Sequence, residues 1–133
     1  MRKTVIRECT FLLLVVPQCL RAQLLDNANG TVTDLRTGLM WLADVQQPGS
    51  KMTWDDAMQW ANTLSFAGYD DWRLPQRDEL RSIRDYVDLW EGRPFRNMVA
   101  GSFWTSTEYP SDASFALSFS WPGADENYIL KNS

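Results

Sequence analysis

Residues 68–75 read GYDDWRLP, a segment in which turn residues run directly into the first turn of a helix. Gly68 favours the end of a preceding helix, and Pro75 is tolerated at a helix start because its missing N–H has no helical partner there. Asp70 and its acidic neighbour are typical of turn chemistry. We expect Arg73 to pin this loop by bonding backbone carbonyls or Asp70. The alternative is that Arg73 holds a ligand anion.

The segment before this loop predicts an amphipathic helix. Thr53 suits the N-cap, Asp56 stands at the capping-box position three residues later, and Asp55 suits the positive end of the helix dipole. Helix capping explains this acidic pair better than general acid–base catalysis does. The apolar side chains recur at the spacing of one buried face, at Trp54, Ala57, Met58 and Ala61. We expect this helix to end at Gly68.

The segment after the loop predicts a second helix that begins at Pro75. Asp78 and Glu79 lie in its early turns, and Leu80 and Ile83 belong to its apolar stripe. The basic side chains of this region alternate with acidic ones, which indicates a solvated helix face. They are Arg73, Arg77, Arg81 and Arg84.

Strands are predicted on both sides of the helices. Turns at Asn29-Gly30 and Thr37-Gly38 flank strands at 31–33 and 39–42. Extended segments are also expected at 103–109 and 114–121, joined by a turn at 110–112. The second of these alternates strictly, with large side chains at Phe115, Leu117, Phe119 and Trp121.

The segment 125–127 follows a Pro-Gly pair and is predicted to be a solvated loop. The alternative is a Ca²⁺ site, since Asp125, Glu126 and Asn127 supply the oxygen ligands that this ion prefers. We predict no metal and no other cofactor.

Seven tryptophans in 133 residues indicate either an aromatic core or an exposed binding surface. Most of them stand beside helix or strand signals, which favours the core. The predicted core comprises Trp41, Trp54, Trp72, Trp104, Leu80 and Ile83.

Residues 1–22 are typical of a secretory signal peptide. A basic start precedes a short apolar run that Pro17 breaks, and Ala22 offers a small residue for cleavage. The run is shorter than the ~20 residues of a membrane span, so no stable span is predicted. A lipid anchor at Cys19 is the alternative. We expect an exported protein that is periplasmic, secreted or on the cell surface.

Cleavage would change the chemistry of the chain. Residues 1–22 hold four of the 13 basic residues, one of the 17 acidic residues and both cysteines, which leaves 9 basic against 16 acidic residues. The mature chain has neither Cys nor His, so thiol nucleophiles, imidazole bases and ordinary zinc sites are excluded. An acidic surface also disfavours nucleic acid.

The motifs together resemble the C-terminal domain of the Legionella collagen-like adhesin, a bacterial extracytoplasmic family long described as a domain of unknown function. The resemblance covers residues 26–128. It implies an α+β fold similar to C-type lectins and formylglycine-generating enzymes, with two helices, small antiparallel sheets and long loops. Its structural signature falls on Gly38, Trp41, Trp54, Trp72, Arg73, Pro75 and Trp104.

Two departures from the family are expected to matter. Members often carry a Cys in the first helix, where this chain has Ala61, and a partner Cys in a final strand. The chain stops at Lys131-Asn132-Ser133, just where that strand should begin, so we expect the terminal strand to be missing. Either the domain, at residues 23–133, is truncated or another subunit covers the open sheet edge.

The resemblance implies a non-catalytic, adhesin-like or lectin-like module that recognises an extracellular or cell-surface glycan or protein. One alternative is an enzyme or enzyme subunit of the sulfatase-modifying type, and another is a truncated product without independent activity. In lectin-like folds the long loops carry recognition. The candidate ligand-binding residues are therefore Glu108, Tyr109, Trp121, Asp125, Asn127 and Tyr128, with ordinary loop positions and a buried Trp121 as the alternative.

Overall fold

The computed structural model describes residues 24–45, 47, 49, 51–87, 94–97, 101–121 and 125–133, with side chains described for all of these except 84–87 and 121. The proposed signal peptide at 1–22 lies outside the described residues. None of the helices within these ranges is long and apolar enough to cross a membrane.

The described residues form two helices and two small antiparallel sheets, which confirms the α+β prediction. The first sheet has the order β1-β2-β3 and the second has the order β4-β5-β6. The elements in chain order are β1 (Leu24–Asp26), β2 (Thr31–Asp34), β3 (Leu39–Leu42), α1 (Trp54–Thr63), α2 (Arg77–Val87), β4 (Gly101–Tyr109), β5 (Asp112–Trp121) and β6 (Glu126–Leu130).

Two glycines with positive φ shape the turns of the first sheet. Gly30 (φ 86°) precedes β2, and Gly38 (φ 69°) closes the β2–β3 turn, where its N–H donates to the Asp34 carbonyl at 2.8 Å. Both predicted strands of this hairpin are confirmed. Asp34 is completely buried and accepts hydrogen bonds from the backbone and guanidinium of Arg36.

The first helix has the predicted N-cap at Thr53, with Asp56 bonded to the Thr53 hydroxyl rather than to its backbone N–H as in a full capping box. The Thr53 hydroxyl accepts from the Asp56 backbone N–H at 3.3 Å, and the Thr53 hydroxyl donates to the Asp56 carboxylate at 2.8 Å. The buried face contains Trp54, Ala57 and Ala61. The predicted end at Gly68 is wrong, because Leu64 leaves helical geometry and the helix ends at Thr63. Gly68 instead supplies a positive φ of 83° in a separate turn.

The second helix begins at Arg77, two residues later than predicted. The Leu80 N–H donates to the Gln76 carbonyl at 3.1 Å, so Gln76 rather than Pro75 borders the first turn. The Glu79 carboxylate accepts from the Gln76 N–H at 2.7 Å, which satisfies one of the free donors at the helix start. Pro75 lies outside the helix, where its carbonyl accepts from the Ser106 N–H at 2.8 Å.

The loop predicted at 125–127 is wrong for residues 126 and 127, which belong to a strand of the second sheet. Residues 126–130 form β6, which pairs with β5 in a continuous register from Phe115 opposite Leu130 to Phe119 opposite Glu126. Among the described residues, β6 therefore forms the edge of the second sheet. A pattern confined to 125–127 misses this strand because three consecutive polar residues show no apolar alternation, and the ion-pair partners of Glu126 are distant in sequence.

The core prediction is right for three residues and too strong for three others. Trp54, Trp72 and Ile83 are buried, whereas Trp41, Trp104 and Leu80 are only half-buried. Trp104 instead fixes the chain ahead of α1, because its indole N–H donates to the Met52 carbonyl at 3.0 Å. The rest of the apolar core comes mainly from small and aliphatic residues, at Val32, Leu39, Ala43, Ala57, Ala61, Ala116, Leu117 and Phe119.

Candidate functional site

The predicted ligand-binding residues lie mostly on strands, not on the long loops expected of a lectin-like site. Glu108 and Tyr109 end β4, Trp121 ends β5, and Asn127 and Tyr128 belong to β6. The side chains of Tyr109 and Tyr128 lie together on one face of the second sheet, whereas those of Glu108 and Asn127 lie on the other. The prediction of a single loop-borne cluster is wrong, and the structure brings together only part of the set.

Tyr109 and Tyr128 form an exposed aromatic pair. Their ring centroids are 4.7 Å apart with an interplanar angle of 56°, and the two residues are 41% and 39% exposed. The pair lies across β5, since β4 and β6 flank that strand. Aromatic rings that remain accessible at such spacing offer apolar faces for stacking together with phenolic hydroxyls.

A guanidinium cluster lies beside Tyr128. Arg77 Nε and Nη2 lie 2.7 and 2.6 Å from Glu126 Oε2, and Arg81 Nη2 lies 2.7 Å from Glu126 Oε1. The Arg81 contact lacks hydrogen-bond alignment, since the buried Oε1 has no hydrogen-bond partner among the described residues. The hydrogen bond to Glu126 and its negative charge raise the pKa of Arg77, with a small added contribution from Tyr128.

In the direct ion pairs of this cluster two guanidinium groups share one carboxylate, and the charge of the exposed Asp78 also acts on Arg77. The side chains of Arg77 and Arg81 are 42% and 49% exposed, so they keep donors accessible to a ligand. The sequence interpretation placed these arginines on a solvated helix face and missed their partner. Their spacing of four residues was visible, but Glu126 joins them only through the fold.

Glu108 takes part in a contact that holds α1 against the second sheet. Lys131 Nζ lies 2.7 Å from Glu108 Oε1 and 3.9 Å from the centroid of the Trp54 ring. The Lys131 carbonyl accepts from the Trp54 N–H at 2.8 Å. The side chain of Glu108 is thus engaged within the protein.

The remaining predicted residues do not join the tyrosine pair. The Asp125 carbonyl accepts from the Ser120 N–H at 2.9 Å, and Asp125 precedes the strand. Asn127 neighbours Tyr128 along β6, so its side chain points to the opposite face. The side chain of Trp121 lies outside the described residues. Within the described ranges, no group of three or more acidic, Cys or His residues could hold a metal ion.

Four of the seven signature residues line a half-open cavity of about 60 Å³ between β3 and the loop before α2; they are Trp41, Trp72, Arg73 and Pro75. Arg73 Nη1 donates to Glu79 Oε2 at 2.6 Å and to the Leu74 carbonyl at 3.1 Å, and Nη2 contacts Glu79 Oε1. The hydrogen bond to Glu79 raises the pKa of Arg73, although burial opposes it. Arg73 therefore pins the loop, with Glu79 rather than Asp70 as its partner.

This cavity is poorly suited to a large ligand. Pockets for drug-sized molecules enclose roughly 300–1,000 Å³, several times more space. Trp41 lines the cavity, and its indole N–H has no hydrogen-bond partner among the described residues. The guanidinium of Arg73 is neutralised by Glu79, so the cavity offers no free charge for an anion.

Accessible ligand-binding chemistry is found on the tyrosine–arginine surface, which we define as Tyr109, Tyr128, Leu130, Arg77, Arg81 and Glu126. It combines aromatic faces, an apolar side chain that is 46% exposed at Leu130, and guanidinium donors. This mixture suits recognition by stacking and hydrogen bonding.

Comparison with known proteins gives one result for the family. The model of the family described as the Lcl C-terminal domain matches residues 30–132. This range includes both helices and every strand except β1. Comparisons with curated proteins and with solved structures find no match.

Proposed function

This chain belongs to the Lcl C-terminal domain family, and we propose that it acts as an exported, non-catalytic binding module for a glycan or a protein. The family is adhesin-associated, which supports a role in contact between the cell and its surroundings. A C-type-lectin-like arrangement of the two helices and two sheets is part of the proposal.

The observation that carries the proposal is the exposed pair of Tyr109 and Tyr128 beside two half-exposed arginines. Isolated apolar side chains at a surface are ordinary, but three large ones together mark an interaction surface. Tyr109, Tyr128 and Leu130 account for three of the five exposed large hydrophobic residues among those described. Sugars and extended peptides both offer groups that stack on tyrosine and accept from guanidinium.

The proposal predicts binding that depends on the tyrosine pair. Residues 23–133 would be screened on arrays of glycans and surface proteins, together with the double variant Tyr109→Ala/Tyr128→Ala. The matched control is Leu25→Ala/Leu35→Ala, which truncates two exposed side chains in the first sheet and its β2–β3 turn.

We expect the tyrosine variant to lose at least about tenfold in affinity for any ligand found, because each lost stacking contact weakens binding by about 1 kcal/mol. The control should bind as wild type does. Equal affinity of wild type and the tyrosine variant, with both folded, would disprove this site. A screen without any ligand would argue against a binding module.

A further inference from the structure

The outer edge of β6 has main-chain groups that the sheet does not use. β5 is the only described strand that pairs with β6. Hydrogen bonds at both ends of the pairing fix its phase: the Ser120 N–H donates to the Asp125 carbonyl at 2.9 Å, and the Lys131 N–H donates to the Ser114 carbonyl at 3.0 Å. Within residues 125–131, the odd-numbered residues therefore direct their backbone N–H and carbonyl groups towards β5.

Because these directions alternate along an antiparallel strand, Glu126, Tyr128 and Leu130 direct theirs away from the sheet. The Leu130 carbonyl accepts from the Ser133 N–H at 3.1 Å and from the Ser133 hydroxyl at 2.6 Å. Within the described part of the chain, no hydrogen bond engages the other outward N–H and carbonyl groups. The edge thus presents a row of donors and acceptors that could pair with another strand.

The side chains of the same three residues share one face of the sheet, since successive side chains alternate. Glu126, Tyr128 and Leu130 belong to the tyrosine–arginine surface, so the open edge borders it along its whole length. A strand added here would lay every second side chain beside this surface. Its length would be about 16 Å for five residues.

The positive charge of Arg77 and Arg81 favours an acidic occupant of this edge. Arg77 and Arg81 share the single carboxylate of Glu126, so a residue opposite Glu126 would meet an excess of positive charge. If a second copy of the chain paired antiparallel about Tyr128, it would place its own Leu130 there and supply no acid. A separate peptide with an acidic residue at that position complements the edge better.

We propose that β6 receives an extended segment of a partner protein by antiparallel strand addition, with the pattern apolar-x-apolar-x-acidic from its N-terminal end. The first apolar residue lies opposite Leu130, the second lies opposite Tyr128, and the acidic residue lies opposite Glu126. Main-chain bonds supply affinity and the side-chain pattern supplies specificity. The inference rests on the proposed binding function and specifies the protein form of it.

The test uses a fluorescein-labelled peptide, Gly-Val-Thr-Val-Thr-Asp-Gly, and fluorescence anisotropy with residues 23–133. N-methylation of the second valine removes the N–H that points at Tyr128, whereas N-methylation of the threonine after it removes an N–H that points away. We expect the first change to weaken binding roughly tenfold and the second by less than about twofold. A peptide with Lys in place of Asp should bind wild type about tenfold more weakly than the parent does, and Arg81→Gln should narrow that difference.

Equal effects of the two methylations would overturn strand addition, and so would absence of parent-peptide binding at about 1 mM. If the array ligands nevertheless depended on the tyrosine pair, the proposed function would stand without this inference. A dimer that forms without peptide and excludes it in sedimentation experiments would assign the edge to a second copy instead.

Discussion

At the scale of single residues, Gly30 and Gly38 make a matched pair. Both have positive φ, but a Cβ added at Gly30 would lie 2.8 Å from Phe66 Cζ, whereas one at Gly38 would meet no heavy atom within 4 Å. Gly38→Ala should therefore reduce the free energy of unfolding by only about 1–2 kcal/mol, the cost of placing a residue with a Cβ in the left-handed conformation. Gly30→Ala should reduce the free energy of unfolding by about 1–3 kcal/mol more than Gly38→Ala does, because Phe66 has to move. Urea unfolding measures both, and equal losses would contradict the close approach.

The Glu79 carboxylate accepts hydrogen bonds from the Arg73 guanidinium and from the Gln76 backbone N–H. Glu79→Ala should reduce the free energy of unfolding by roughly 2–3 kcal/mol, because it leaves a largely buried guanidinium without its charge partner. Asp78→Ala is the control in the same turn, with an exposed side chain and an expected loss below about 1 kcal/mol. Similar losses in chemical denaturation would show that Arg73 does not depend on Glu79.

The signature residues also show what single-residue patterns reveal. The role of Arg73 in holding the loop could be predicted from the sequence, because an arginine between Trp72 and Leu74 has few nearby acceptors other than backbone carbonyls and carboxylates. The identity of its partner was not, because Glu79 comes within reach only when α2 begins at Arg77. Trp41 was assigned to the core, yet it lines a half-open cavity.

At the scale of elements, local chemistry predicted most of the strands and both helices. The N-cap of α1, the Gly38 turn and the alternation in β5 are each encoded within a few residues. β6 escaped prediction although its partner β5 is the preceding strand, because Glu126 and Asn127 are both polar and give no alternating apolar pattern. Arg77 and Arg81 neutralise Glu126, and Tyr109 covers part of Tyr128. Arg77 and Arg81 are distant in sequence from β6, so the predicted site, which includes the two tyrosines, does not include these arginines.

The contact between the C-terminal segment and α1 gives a prediction at this scale. Lys131→Met keeps the aliphatic stem but removes the charge that lies near Glu108 and over the Trp54 ring. This substitution should reduce the free energy of unfolding by about 1 kcal/mol. A double-mutant cycle with Glu108→Gln should assign about 0.5 kcal/mol of that loss to the partly exposed ion pair. High salt should reduce the coupling. A coupling energy of zero at low salt would contradict the contact.

At the scale of the whole molecule, export is a proposal that mass spectrometry tests. We expect the mature chain to begin near Gln23, because a basic start, a short apolar run and Ala22 precede it. The protein would be recovered from the periplasm or medium after expression in a bacterium with a standard secretion system. An intact Met1 would contradict cleavage. A lipid on Cys19 would show that the protein is anchored to a membrane and does not begin near Gln23.

The central claim is that the tyrosine–arginine surface, not the cavity beside Trp41, binds the ligand. An NMR titration of the strongest array ligand into ¹⁵N-labelled protein tests it most directly. We predict the largest shifts at the amides of Tyr109, Tyr128 and Leu130 and at the Arg81 side chain, with the Trp41 indole N–H unchanged. The Trp41 signal would be identified by its loss in Trp41→Phe. Shifts confined to that indole and the residues around Arg73 would contradict the claim.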